Sequence, residues 1–228
     1  SDLSIALEAS ARALFKDSTF IYRLSNDSLQ DYNPNKENLT RVFEDIGKKA
    51  KANDVLFVFF AGHGSIDDKG ESKEIKFMLE KADKRNKAST GFGVADLSNW
   101  CHPKKVKAQK RVFVYDACQS GQIVNEQIAM AQGGRGGDEE STRIRQLDKL
   151  KDKNGMMILA AAADDQSAYE SNTLDHGLLT YHLLDVMQSE KRDTSLTVNK
   201  RVKHKLNKAP VFNKYMVSIS SILDFFFI

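Results

Sequence analysis

Two cysteines, three prolines and one tryptophan in 228 residues exclude several kinds of protein at the outset. Cys101 and Cys118 could close one bridge at most. A disulfide framework is therefore ruled out, and a reducing compartment, by default the cytosol, is expected. No Cys or His spacing of the CxxC or HExxH type occurs, so no metal site is expected. Asp67, Asp68 and Glu71 are acidic but lack the EF-hand pattern, which leaves calcium unsupported and no cofactor implied. No glycine-rich phosphate loop follows a strand pattern. Charge of one sign is also lacking. Lys and Arg number 34 against 31 Asp and Glu, a net charge of +3, with the two signs interspersed. Nothing here has the electrostatic footprint of a nucleic-acid binder. The apolar ending Phe225-Phe226-Phe227-Ile228 falls far short of the roughly 18 residues of a membrane span, so no membrane partner is expected. Asp2 and Glu8 bracket an amphipathic helix pattern where a signal peptide would have a basic start and an apolar run.

What is present is concentrated in two short apolar runs, each ending on a reactive side chain. Val55-Leu56-Phe57-Val58-Phe59-Phe60 runs into Ala61-Gly62-His63-Gly64. Arg111-Val112-Phe113-Val114-Tyr115 runs into Asp116-Ala117-Cys118-Gln119-Ser120-Gly121. Continuous β-branched and aromatic runs of this length read as strands of a parallel sheet buried on both faces. In open α/β sheets ligands bind just past the carboxyl ends of the strands, so both side chains are expected on that rim.

The rest of the chain supplies the alternation such a sheet needs. Leu3, Ala6, Leu7, Ala11 and Leu14 recur at helical spacing, and Phe20-Ile21-Tyr22 reads as a short strand. Asn38 is placed to cap a helix carrying Leu39, Val42, Phe43 and Ile46. Residues 65–72 read as a polar hairpin or loop, Lys76 to Leu79 as a strand, Val94 to Trp100 as a short helix, and Met156 to Ala160 as another strand. Gly133, Gly134, Gly136 and Gly137 around Arg135 mark a flexible loop. Helices are expected near 144–150, 177–187 and 198–206. Strands alternating with helices predict an α/β fold, a mostly parallel sheet with helices on both faces. The opening helix where such folds begin with a strand suggests that a first strand comes from residues outside this chain.

A thiol is nucleophilic only as thiolate, and a neighbouring imidazole supplies that state by taking the proton. His63 and Cys118 are 118 − 63 = 55 residues apart, about one strand-to-strand excursion plus a hairpin, which would bring both to one rim. The backbone N–H groups of Gly64 and Cys118 could hold the oxyanion of a tetrahedral intermediate. Taken alone, a cysteine after a strand is ordinarily core filler and a histidine a structural hydrogen-bonding group; the pair flanked by glycines favours catalysis. Cys101 and His102 are adjacent, point apart and form no dyad.

Phe59-Phe60-Ala61-Gly62-His63-Gly64-Ser65 and Tyr115-Asp116-Ala117-Cys118-Gln119-Ser120-Gly121 resemble the motifs of the caspase and metacaspase superfamily of cysteine peptidases. The stretch 161–171 running into His176-Gly177-Leu178-Leu179-Thr180-Tyr181 is similar to the bacterial caspase-like, orthocaspase-type branch. The caspase signature Q-A-C-[RQG]-G, with its histidine about 50 residues upstream, is close but not identical: Asp116 replaces Gln, and one more residue precedes Gly121. The resemblance covers roughly residues 39–187. It implies a Cys118 nucleophile, His63 as general base and acid, and an oxyanion hole of Gly64 and Cys118. It also implies a large-subunit-like part over 1–131, a linker over 132–150 and a small-subunit-like part over 151–228.

The resemblance implies too that Asp116 and Asp164 are acids of the substrate pocket. Two carboxylates would favour Arg over Lys and repel Asp. Asp116 could instead cap the helix after its strand. Arg135, Arg143 and Arg145, in the linker interval, are candidates for self-cleavage. Partners are then a protein or peptide substrate and a regulatory domain, ligand or protease that activates. A catalytically silent interaction module and a non-peptidase cysteine hydrolase or acyltransferase are the alternatives.

Overall fold

The computed structural model describes residues 2–15, 19–25, 32–67, 74–79, 90–117, 120–131, 150, 155–161, 179–181 and 183–185. Helix α1 spans Asp2–Phe15, and α2 spans Lys36–Lys49. Strand β1, Val55–Gly62, leads into a small antiparallel sheet of β2 (Gly64–Asp67), β3 (Glu74–Met78) and β4 (Gly91–Phe92). Helix α3, Val94–Trp100, returns the chain to β5, Lys110–Ala117. Helix α4, Ser120–Ala131, follows, and β6, Met156–Ala160, completes a parallel sheet in the order β1-β5-β6. This is the expected mixed α/β architecture with a parallel sheet. Among the described residues no helix is long and apolar enough to cross a membrane.

Helix α2 starts where the local chemistry directs it. Asn35, in extended backbone, accepts from the Asn38 N–H at 2.8 Å, while Glu37 and Lys48-Lys49 complement the helix dipole at its two ends. The cap is therefore Asn35 rather than the expected Asn38, whose amide instead donates to the Asn33 carbonyl. In α3, Asp96 reaches back to accept from the Gly93 N–H at 3.0 Å, the returning half of a capping box.

Two expectations about strands are corrected. Phe20 to Tyr22 form no strand; among the described residues the bridge in this neighbourhood pairs Leu24 with Tyr32. Side chains hold this segment instead. The Tyr22 hydroxyl donates to Asp45 on α2, and the Lys49 ammonium lies 5.0 Å from the Phe20 ring centre and 5.5 Å from that of Tyr22. Phe20 stays 61 % exposed. Strand β1 is also less buried than its composition predicts: Phe57 to Phe60 are half-buried, whereas β5 is buried from Arg111 to Ala117. β5 is the middle strand of the described sheet, while β6, an outer strand like β1, still buries Met157 to Leu159, so the lower burial is particular to β1.

The two sheets are joined by aromatic side chains. Phe77 on β3 stacks on Tyr115 of β5 at 5.2 Å between ring centres and packs on Phe60 of β1 at 4.4 Å. Phe92 meets Phe60, Phe77 and Trp100, and Trp100 stacks on Phe43 of α2 at 5.6 Å. Offset and tilted rings at these spacings add to the area they bury. Val112 and Val114, on the other face of β5, are equally buried but stand outside this cluster.

Entry into β6 depends on one glycine. Gly155 has φ +59°, a Cβ there would lie 2.4 Å from the Gln109 carbonyl oxygen, and its own carbonyl accepts from the Arg111 N–H at 2.8 Å. Gly155→Ala is expected to lose at least about 1–3 kcal/mol of stability from the left-handed backbone alone. Chemical denaturation measures this, and an unchanged midpoint would contradict it.

Candidate active site

The geometry begins with the pairing of β1 and β5. The two strands run parallel in unbroken register from Val55 opposite Lys110 to Gly62 opposite Ala117. His63 follows Gly62 directly in the sequence, and Cys118 follows Ala117. Adjacent strands lie about 4.8 Å apart, so the two chain segments leave the sheet side by side at its carboxyl edge. Cys118 itself, Asp164, and Arg135, Arg143 and Arg145 lie outside the described residues, as does the linker at 132–149.

His63 is exposed, and its main chain is held by the hairpin that follows. The Met78 N–H donates to the His63 carbonyl at 2.9 Å, and the ladder continues with Gly64 opposite Phe77 and Ser65 opposite Lys76. In an antiparallel ladder hydrogen-bonded and non-bonded pairs alternate. With His63 and Met78 as a bonded pair, Gly64 and Phe77 are a non-bonded one. The Gly64 N–H is therefore directed away from β3 and is not consumed by the ladder.

The hairpin is anchored twice. Phe77, fully buried, packs it onto the main sheet. Glu126, on α4, accepts from the Ile75 N–H at 2.9 Å and so ties β3 to the helix that follows the cysteine. Burial holds the Glu126 carboxyl above its usual range against the lowering effect of the Ile75 hydrogen bond, with Glu74 adding to the rise and Lys76 opposing it. The histidine arm and the cysteine arm are thus clamped to each other through a carboxylate and an aromatic ring.

Asp116 is the penultimate residue of β5, on the same side as Val112 and Val114. It is 6 % exposed, and its Oδ2 accepts from both the N–H of Thr180, at 3.0 Å, and the Thr180 hydroxyl. Residues 179–181 and 183–185 are helical, with Leu179 and Leu184 buried, so Asp116 fastens this helix to the end of β5. Reading the sequence did not single out Thr180. The available signal was a short aliphatic hydroxyl, Thr180, directly after Leu178-Leu179, where an unpartnered buried hydroxyl would be costly.

The other described cysteine differs in kind. Cys101 caps the end of α3, is 4 % exposed, and has its thiol pushed up to about 12 by burial, against a weaker opposing effect of Arg111. A thiol so protonated is a poor nucleophile. Among the described residues no group of three or more His, Cys, Asp or Glu side chains could hold a metal ion. Iodoacetamide at pH 8 is expected to leave Cys101 unmodified in the folded protein and to alkylate it in denaturant. Peptide mass mapping reads this, and fast native labelling of Cys101 would contradict it.

Comparison with known proteins bears on the fold and the family. The family described as the caspase domain matches residues 9–226. A crystal structure of protein GSU0716 from Geobacter sulfurreducens is similar at 16 % identity, over 80 % of this chain and 71 % of that one, with a TM-score of 0.47. No curated protein matches the chain.

Proposed function

Because this chain belongs to the caspase-domain family, we propose that it is a cysteine endopeptidase that cleaves after basic residues, Arg before Lys, through a Cys118–His63 dyad. The observation that carries the reading is the register of β1 and β5, which delivers Gly62 and Ala117 side by side, each one residue before a member of the dyad. The bacterial, orthocaspase-type motifs support the same reading.

The chemistry balances with these two side chains and one water. His63 takes the Sγ proton of Cys118, and the thiolate adds to the scissile carbonyl carbon. The oxyanion that forms is held by the Gly64 and Cys118 N–H groups; the outward direction of the Gly64 N–H supports that role. Collapse breaks the C–N bond, and the imidazolium gives its proton to the leaving amine. A thioester remains. His63 then deprotonates a water that attacks the thioester, the C–S bond breaks, and the sulfur leaves as thiolate. No orienting carboxylate is required for this cycle.

Substrate charge is read by Asp116 and Asp164 on this proposal. A buried carboxylate two residues before the nucleophile favours a cationic side chain, and the planar guanidinium fits it better than a point ammonium. A partner domain, ligand or cleavage in the linker, at Arg135, Arg143 or Arg145, releases activity. Fluorogenic peptides ending in Arg, Lys and Asp test the whole reading. Arg is expected to be fastest, Asp inert, Cys118→Ala inactive, and His63→Ala slower by about 10²–10⁴-fold. Turnover that survives Cys118→Ala, or a preference for Asp, would overturn the assignment; inertness toward every peptide, with an unreactive Cys118, would favour a silent interaction module.

A further inference from the structure

The clasp between Asp116 and Thr180 joins residues 64 positions apart. An aspartate side chain ordinarily turns freely about its last torsion, which is broad and roughly two-fold. Here two donors from a single residue, one main-chain and one side-chain, converge on the same oxygen, Oδ2, and both residues are buried, Thr180 at 5 % exposure. Two convergent donors fix the plane of the carboxylate as well as its place. Hydrogen bonds to an ionised acceptor are also among the stronger ones a protein makes.

We infer that Thr180 is a specificity-positioning residue, which orients the Asp116 carboxylate against which the basic side chain of the substrate is read. The inference rests on the basic-pocket reading above and assigns its selectivity to a residue outside the dyad. With Oδ2 engaged by the two Thr180 donors, Oδ1 is left to meet a guanidinium, and the direction it faces follows the angle at which Thr180 holds the carboxylate. Thr180 acts through Asp116, so its loss is expressed in the discrimination of charge and leaves the handling of a neutral side chain as it was.

The test uses the full chain and a matched pair of peptides ending in arginine or in citrulline, its uncharged isostere. Thr180→Val keeps the shape and the main-chain donor but removes the hydroxyl. The ratio of kcat/KM for arginine over citrulline is expected to fall by about tenfold, with citrulline turnover unchanged. Thr180→Ser keeps both donors while losing the buried methyl, and its ratio is expected to stay within about twofold of wild type. Equal losses on both peptides in Thr180→Val, an unchanged ratio, or a ratio that falls as far in Thr180→Ser would each overturn the inference. Asp116→Asn separates it from the reading beneath it. If that change leaves the ratio unaltered, the basic pocket itself fails. If it collapses the ratio while Thr180→Val does not, only the role of Thr180 fails.

Discussion

The unbroken parallel register between Val55–Gly62 and Lys110–Ala117 is the constraint on which the candidate site depends. Side chains alternate faces along a strand, so a slip of one residue would move every member of a strand to the opposite face. In the observed register Tyr115 turns toward the aromatic cluster while Asp116 turns toward Thr180. The same register ends both strands level, with Gly62 opposite Ala117, the residues that precede His63 and Cys118 in the sequence. Burial of β5 across seven consecutive residues makes the alternative registers expensive.

Around this pair of strands, each arm of the candidate site is secured by an element distant in sequence. The histidine arm continues into a hairpin whose buried Phe77 is pressed between Phe60 and Tyr115, and Glu126 of α4 holds the start of β3. The cysteine arm leaves β5 beside Asp116, which is gripped by the helical turn at Thr180. The charged and polar contacts here each satisfy a buried or half-buried main-chain or hydroxyl donor, so they act as locators more than as sources of stability. Small differences in where these contacts sit would be felt at the site, because reacting groups must be held within a few tenths of an ångström.

Much of this was legible in the residues alone. Strands β1, β5 and β6 announced themselves as continuous apolar runs, and the Val94–Trp100 helix as a short periodic segment, because burial and periodicity are local properties. The position of His63 and Gly64 just past the end of β1 could be read for the same reason. Where reading failed, the deciding partner was remote or positional. Phe20 to Tyr22 has strand composition, but its side chains found Asp45 and Lys49 on α2 instead of a ladder. Half-burial of Phe57 to Phe60 depends on what covers β1 in the fold, which composition does not encode. Asn35 and Asn38 are equally good caps on paper, and only the helix start distinguishes them. Thr180 and Glu126 matter through bonds to residues 64 and 51 positions away, a separation that no window of sequence spans.

The claim that an imidazole activates the sulfur is tested most directly by the pH dependence of Cys118 alkylation in wild type and in His63→Ala. An unassisted thiol titrates near 8.5, and a histidine partner lowers that value. The account predicts that chloroacetamide modifies Cys118 of the wild-type protein readily at pH 6, and that His63→Ala shifts the profile up toward that of an ordinary thiol. Superimposable profiles for the two proteins would contradict it.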